Sequence, residues 1–258
     1  MKLNKRYPNF DLDAALYKAW TLLKIEQSRV YLGIWWWVFE PILYMSVFYF
    51  VFEYALGMGG EGFVYFLLCG LVPWKWFSSS ISSSLSLIQN NKAIILKIHI
   101  SKHILFVSSF ISEFVKFLIV FVLFLLFLIL TDHEPSWRWM MLIPLIFIQA
   151  LLTYSLACFL GVLITFIPDL KVVVANILQL LFFLSGIFFY IDEKSEIMFN
   201  SLYFNPIANL IFNYRAILLD TTQFEVIFLF ISLFMSIIML VISILFLRIS
   251  DKKIPKFI

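Results

Sequence analysis

Residues 104–130 read ILFVSSFISEFVKFLIVFVLFLLFLIL. Glu113 and Lys116 are the only charges in this run, and from Phe117 to Leu130 no side chain is polar. A soluble amphipathic helix keeps a polar stripe toward water. The second half of this run has none. The run also exceeds the roughly 20 residues that a helix needs to cross a hydrocarbon core about 30 Å thick. It reads as a membrane span. Five more stretches qualify on either side of it: Ile34–Leu56, Phe63–Leu87, Trp139–Ile167, Val172–Tyr190 and Val226–Leu247. A barrel would show alternation over about ten residues, whereas these runs are apolar on every face. The third and fourth spans are longer than the minimum, so tilt or extension beyond lipid is expected. Pro144 is the expected kink in the fourth.

Composition agrees. Hydrophobic residues are 63% of the 258 and charged residues 14%, against soluble norms of about 45–50% and about 25%. A soluble globule of this length cannot hide that much apolar surface, and a disordered chain is not built this way. The formal charge of +3 is too small to argue for a nucleic-acid partner. Cys69 and Cys158, the only cysteines, sit in apolar runs with no disulfide or CxxC pattern. Charges from Lys2 to Arg29 interrupt the first thirty residues, which therefore hold no signal-peptide core.

Six spans place both termini on one side, and Lys and Arg say which. Fourteen of the nineteen fall on that side, from Lys2 through Arg29, at Lys92, Lys97, Lys102 and Lys171, and from Arg248 to Lys256. Arg138, Lys194 and Arg215 fall on the other, while Lys75 and Lys116 lie inside spans. Both termini are expected in the cytoplasm.

Three segments lie outside the spans. Over residues 10–30, Leu12, Leu16, Ala19, Leu23 and Val30 repeat at a helical period. Asp11 is a candidate cap, and Tyr17 and Trp20 suit the headgroup layer. This reads as an amphipathic helix on the cytoplasmic surface, with a plain polar extension as the simpler alternative. Gln89–His103 is a cytoplasmic loop that sets Lys92, Lys97 and Lys102 around the apolar Ala93–Leu96, a pattern suited to docking in another protein. Ile191–Gln223 is long for an outer loop. Its apolar runs, Ile197–Leu202 and Ile207–Leu219, are too short to cross. They read as re-entrant or interfacial half-helices broken at Asn205-Pro206.

Enzymatic chemistry is hard to find. No glycine is followed by the lysine of a phosphate cradle, so the chain is not expected to hydrolyse ATP by itself. His99 and His103 share a helical face, but Ile100 stands where a zinc protease has Glu. No metal site is expected, and no hydrolase elbow is visible. The small-residue run Ser78–Ser86 suits close helix packing, with a polar path lining as the alternative. The informative exceptions are Glu40, Glu53, Lys75, Glu113 and Lys116. Each costs about 2.5–3.5 kcal/mol at mid-span on insertion scales, so each should face protein or water. Glu113 and Lys116 share a face and can neutralise each other. Lys75, beside Pro73, Trp74 and Trp76, has no partner in its own span. It must find one on another helix or face an aqueous path. The 31 Phe, 11 Tyr and 8 Trp fit interface belts, and Trp35-Trp36-Trp37 fits an inner-leaflet anchor. Aromatic faces also stack on sugar rings, and composition does not separate the two readings.

Taken in order, these residues resemble the permeases of ABC-2 type transporters, specifically exporters of O-antigen and related surface polysaccharides. The resemblance begins at Gly33, Trp36 or Trp37, Pro41, Val47-Phe48 and Val51-Phe52. It continues through Gly70-Leu71-Val72-Pro73-Trp74 with Phe77, then Asn90–Lys97, Asp169-Leu170 and Ser185 to Tyr190. It ends with Asn205-Pro206 and Arg215. His99-Ile100 replaces a frequent Phe-Pro, Gly186 replaces a frequent Pro, and Lys75 occupies a usually uncharged place.

The resemblance implies an all-α integral membrane protein. One ABC-2 domain would span residues 1–258, with an interface helix over 10–30, six spans within 34–247 and a periplasmic gate over 191–223. Two copies would form a channel in the bacterial cytoplasmic (inner) membrane. Two cytoplasmic ABC ATPase subunits would bind ATP and Mg, and this chain would hold no cofactor. The cargo would be a lipid-linked polysaccharide moving from cytoplasm to periplasm. Candidates along the path are Tyr44, Trp74, Lys75, Trp76, Phe77, Glu113 and Lys116. Candidates for ATPase coupling are Leu16, Leu23, Ile94, Leu96, Lys97 and Asp169, and for the gate Tyr190, Asn205, Pro206 and Arg215. Alternatives are a same-fold exporter of teichoic-acid-type polymer, small lipid or drug, an integral-membrane glycan enzyme, and an assembly scaffold.

Overall fold

A computed structural model describes residues 12–29, 31–33, 35–55, 57, 62–97, 101–131, 133–189, 204–220 and 226–256, and every regular element among them is a helix. The six apolar stretches all become helices. They are α2 (Trp35–Tyr49, continued by a π-helical stretch Phe50–Ala55), α3 (Phe63–Ser84), α6 (Lys102–Leu130), α7 (Leu142–Phe166, entered through a 3-10 turn at Trp137–Met141), α8 (Leu170–Leu184) and α10 (Val226–Ser250). Outside them stand α1 (Leu12–Ser28), the short α4 (Leu87–Asn90) and α5 (Lys92–Lys97), α9 (Pro206–Leu218), and a 3-10 turn at Ile254–Lys256. Four runs are long and apolar enough to cross a membrane: Trp35–Phe52, Lys102–Leu130, Trp137–Phe166 and Val226–Ser250. α3 has the length, at 22 residues, but carries Lys75 and the serine run. α8 has the composition, but its 15 residues measure only about 22 Å at a helical rise.

The end of α8 and the place of Pro144 differ from the sequence reading. α8 stops at Leu184, not Tyr190, because Gly186 takes a left-handed backbone with φ 68°, the usual way to end a helix. Pro144 makes no mid-span kink. It falls in the first turn of α7, where a missing N–H leaves no helical bond unmade. Asp11, His99, Tyr190, the run Ile197–Leu202 and the side chain of Glu53 lie outside the described residues.

α3 holds the centre. From Phe66 to Phe77 every residue but Lys75 is buried. α6 meets it with aromatics one turn apart: Trp76 stacks on Phe117 at 4.3 Å between ring centroids, and Phe117 on Phe121 at 5.1 Å. α7 packs on α3 and lies along α10. The buried side of α10 carries Ser232, Ser236 and Ser243, while Ile227, Phe230, Phe234 and Val241 point outward, the division expected of a helix between protein and lipid. α9 is buried along its whole length from Ile207 to Leu218.

α1 is docked against the protein as well as amphipathic. Ala15, Ala19 and Leu23, spaced four apart, are its buried residues, and α6 is the helix they face. Two alanines let the backbones approach closely. Leu12, Leu16, Tyr17 and Trp20 stay exposed on the other side.

Candidate functional site

Each charged side chain inside the apolar stretches that the structure describes finds a partner. Lys75 finds its partner on another helix: Nζ donates to Glu40 Oε1 of α2 at 2.5 Å and stands 5.9 Å from the centroid of the Tyr44 ring. Glu113 and Lys116 do pair, at 2.8 Å. A third member joins them, since Lys116 Nζ also donates to both oxygens of Glu26 on α1, at 3.1 and 3.0 Å. Four helices thus contribute to one polar patch.

The patch surrounds a cavity of about 230 Å³ whose walls include Trp36, Trp37 and Trp76. Glu26, Glu40, Lys75, Glu113 and Lys116 all line it; three carboxylates against two ammoniums leave one formal negative charge. The indole Nε1 of Trp76 is buried with no hydrogen-bond partner among the described residues. A second cavity, about 250 Å³, lies on the other side of Lys75 and Pro41, with Tyr44, Trp74, Ser78 and Gln179 in its walls. An excess of carboxylate disfavours a bare phosphate. Carboxylate acceptors, ammonium donors and flat indole faces together suit a ligand rich in hydroxyls with apolar ring faces.

The other path candidates divide. Trp74 is buried against Phe182 at 5.6 Å and lines the second cavity. Phe77 is buried against Trp74 at 5.5 Å and lines neither cavity.

On the α1 side, Lys18 Nζ donates to Asn91 Oδ1 at 2.6 Å, and Asn91 Nδ2 donates to the Leu87 carbonyl at 2.7 Å. Burial pushes the Lys18 ammonium below its usual pKa. The coupling candidates therefore separate: Leu23 is buried toward α6, while Leu16 is exposed. In α5, Ile95 is buried while Ile94, Leu96 and Lys97 face outward. Asp169 is exposed just ahead of α8.

The gate candidates gather at the start and end of α9. Asn205 Oδ1 accepts from the Ala208 N–H at 3.2 Å and Pro206 opens the helix, a side-chain cap followed by a residue that needs no N–H. Asn205 Nδ2 also reaches Ser185 Oγ at 3.2 Å. Arg215 is 4% exposed. Its Nη1 donates to Gly186 O at 2.6 Å, Nη2 to Ile187 O at 2.9 Å, and Nε and Nη2 to Phe66 O at 3.3 Å each. The guanidinium also lies 3.4 Å over the Phe66 ring, a cation–π position. One side chain thus ties α9 to α3 and to the turn after α8. Gly70 makes room for it: a Cβ there would stand 2.9 Å from Nη2.

Sequence reasoning missed Glu26, Gln149 and Gly70 as site residues. Gln149 bridges Tyr214 Oη, at 2.8 Å, to the Pro73 carbonyl, at 2.9 Å. A polar amide in the apolar run of α7 was the available signal. Glu26 gave none, because its partner is 90 positions away.

A family model described as ABC-2 type transporter matches residues 19–219. A curated relative named O-antigen export system permease protein RfbA, from Klebsiella pneumoniae, is 29% identical over 201 residues, covering 78% of each chain. A second RfbA from the same organism is 28% identical over 199 residues, 77% of each chain. An RfbA from Myxococcus xanthus is 25% identical over 199 residues, 76% of each chain.

Proposed function

The chain belongs to the ABC-2 type transporter family, and from that premise we propose that it is the permease subunit of an exporter of lipid-linked O-antigen or a related polysaccharide, working from cytoplasm to periplasm. The chain is homologous to O-antigen export permeases over most of its length, and a membrane component of this family is a transporter part and not itself an enzyme. The observation that carries the finer reading is the pair of cavities flanking Lys75, with carboxylate, ammonium and indole groups held inside the apolar helices. Such walls offer hydrogen bonds and stacking surfaces to sugar rings without one deep pocket, which suits a sliding polymer.

In this reading, α2, α3, α6, α7, α8 and α10 are six spans of an inner-membrane protein, with both termini cytoplasmic. Two copies form the channel, and two ABC ATPase subunits, binding ATP and Mg, dock from below. α1 and α5 receive their motion, and α9 lines the periplasmic exit. Tyr44, Trp74, Lys75, Trp76, Glu113 and Lys116 line the path, with Glu26 and Glu40 added to them.

The test is deletion of the gene in the native host, followed by assay of polyprenyl-linked polysaccharide on each side of the inner membrane. Accumulation on the cytoplasmic face with loss from the surface is expected. Normal surface glycan with no internal accumulation would sink the proposal and favour a small-lipid or drug cargo.

A further inference from the structure

The described residues after α10 turn back against the protein. The Asp251 N–H donates to Leu247 O and the Lys253 N–H to Ser250 O, each at 2.8 Å, and the turn Ile254–Lys256 follows. Ile254 stands between lysines, yet it is 0% exposed. It belongs to an apolar cluster with Ile88 of α4, Ile95 of α5, Leu105 and Phe106 of α6, and Val162 of α7. Ile95 is the one buried residue of α5. The same turn makes a second hold. Lys102, first residue of α6 and 9% exposed, donates from Nζ to Asp251 Oδ1 at 2.9 Å and to the Asp251 carbonyl at 3.2 Å.

One hold lies within α5, at Ile95, and the other follows it in the chain, at Lys102. A helix of six residues cannot maintain its own pose, because nucleation costs more than so few bonds return. Its orientation must come from tertiary anchors. Within the helix the anchor is Ile95, set in the cluster that the turn helps to close. After it the anchor is Lys102, five positions past the end of α5, held by Asp251. Ile94 and Leu96 are exposed.

We propose that Asp251 and Ile254 are positioning residues that act through Lys102 and Ile95 to hold α5 in the pose that presents Ile94 and Leu96 to a partner ATPase. The proposal rests on the reading of α5 as the ATPase-contacting segment. In this arrangement the last span, α10, is wired to the coupling surface through its own C-terminal turn. Movement of α10 against α7 and arrival of force at α5 then become one event.

The test uses the full chain co-expressed with its ATPase subunit, comparing Asp251→Ala, Ile254→Asp, the charge swap Lys102→Asp with Asp251→Lys, and the exposed control Lys253→Ala. Hydrogen exchange over residues 92–97 and polymer exported per ATP hydrolysed are both measured. Asp251→Ala and Ile254→Asp are expected to speed exchange over 92–97 and lower the export yield per ATP, with α7 still protected. The charge swap is expected to restore both, and Lys253→Ala to change neither. Unchanged exchange in the two single variants would overturn the proposal, as would a charge swap no better than Asp251→Ala. The underlying reading is checked separately with Ile94→Glu and Leu96→Glu. If these still co-purify the ATPase in full amount, the assignment of α5 fails, whatever the exchange shows.

Discussion

α9 and α1 both lie outside the six long apolar stretches, and they are fastened in opposite ways. α9 is buried from Ile207 to Leu218, and its polar side chains reach fixed acceptors. Arg215 takes the carbonyls of Phe66, Gly186 and Ile187. Asn209 donates to Phe228 O at 3.0 Å, and Tyr214 holds Gln149, which holds Pro73 O. α1 has one buried stripe, and two of its ties run side chain to side chain: Lys18 to Asn91, and Glu26, 46% exposed, to Lys116. Backbone acceptors that are already part of a helix or turn cannot drift, and away from water their donors have no substitute. Half-exposed ion pairs can exchange with solvent at little cost. α9 is therefore expected to move together with the Phe66 end of α3, whereas α1 is expected to loosen from α6 more readily.

The strongest way to break this contrast is at Arg215. Arg215→Ala removes every tie from this side chain to α3 and to the turn after α8. Each buried carbonyl left without its donor costs about 1–3 kcal/mol, so a large fall in thermal unfolding temperature and in membrane abundance is expected. Gly70→Ala attacks the same knot from α3. The added Cβ, 2.9 Å from Nη2, should cost about 1–3 kcal/mol by overpacking. An Arg215→Ala protein with wild-type stability would mean that packing and the ties of Asn209 and Tyr214 hold α9 without the guanidinium.

The second test lies where the two modes of fastening meet. Lys116 serves a buried carboxylate, Glu113 with its side chain 11% exposed, and the half-exposed Glu26. Lys116→Met leaves Glu113 as a buried charge with its ion pair broken, and about 3–5 kcal/mol of destabilisation is the ceiling for that event. Denaturant titration in detergent, compared with the Lys116→Met, Glu113→Gln double variant, separates the stranded charge from the lost methylene packing. The double variant should regain most of the loss.

How much of this was legible in the sequence follows from the range of each interaction. The helices over 63–84, 102–130 and 226–250 lie close to their hydropathy boundaries because span length is a local property. The pairing of Glu113 with Lys116 was legible for the same reason, being three residues apart on one helix. The start of α9 was written in Asn205-Pro206, a cap and a first-turn proline. Lys75 announced that it needed a partner but not which one, since Glu40 is reached only once α2 is laid against α3. Glu26 carried no signal of its own until α1 was set along α6. The length of α8 was overread because apolar composition continues past Leu184, while the left-handed turn at Gly186 and the demand of Arg215 for its carbonyl end the helix there.

A smaller effect is expected at Tyr214. Tyr214→Phe removes the donor to Gln149 Oε1 and keeps the ring. One buried acceptor left unmade costs about 1–3 kcal/mol, and Gln149→Leu in the same background should cost less than it does alone, because the stranded amide goes with it. Unfolding midpoints of the two single variants and the double variant give the coupling directly.

The smallest effect is expected at Glu26, and it is the one that bears on motion. Glu26→Gln removes a half-exposed ion pair whose worth is about 1 kcal/mol and which salt screens further. Global stability should hardly change. Hydrogen exchange along α1 should nevertheless rise, because α1 has only Ala15, Ala19 and Leu23 as its buried side and little else to hold its C-terminal turn near Lys116. Raising salt in the wild-type chain should mimic the substitution in part, and exchange over α9 should not respond to either. If α9 loosens together with α1, the two helices form one cooperative unit, and the contrast between a firmly fixed α9 and a more loosely held α1 is wrong.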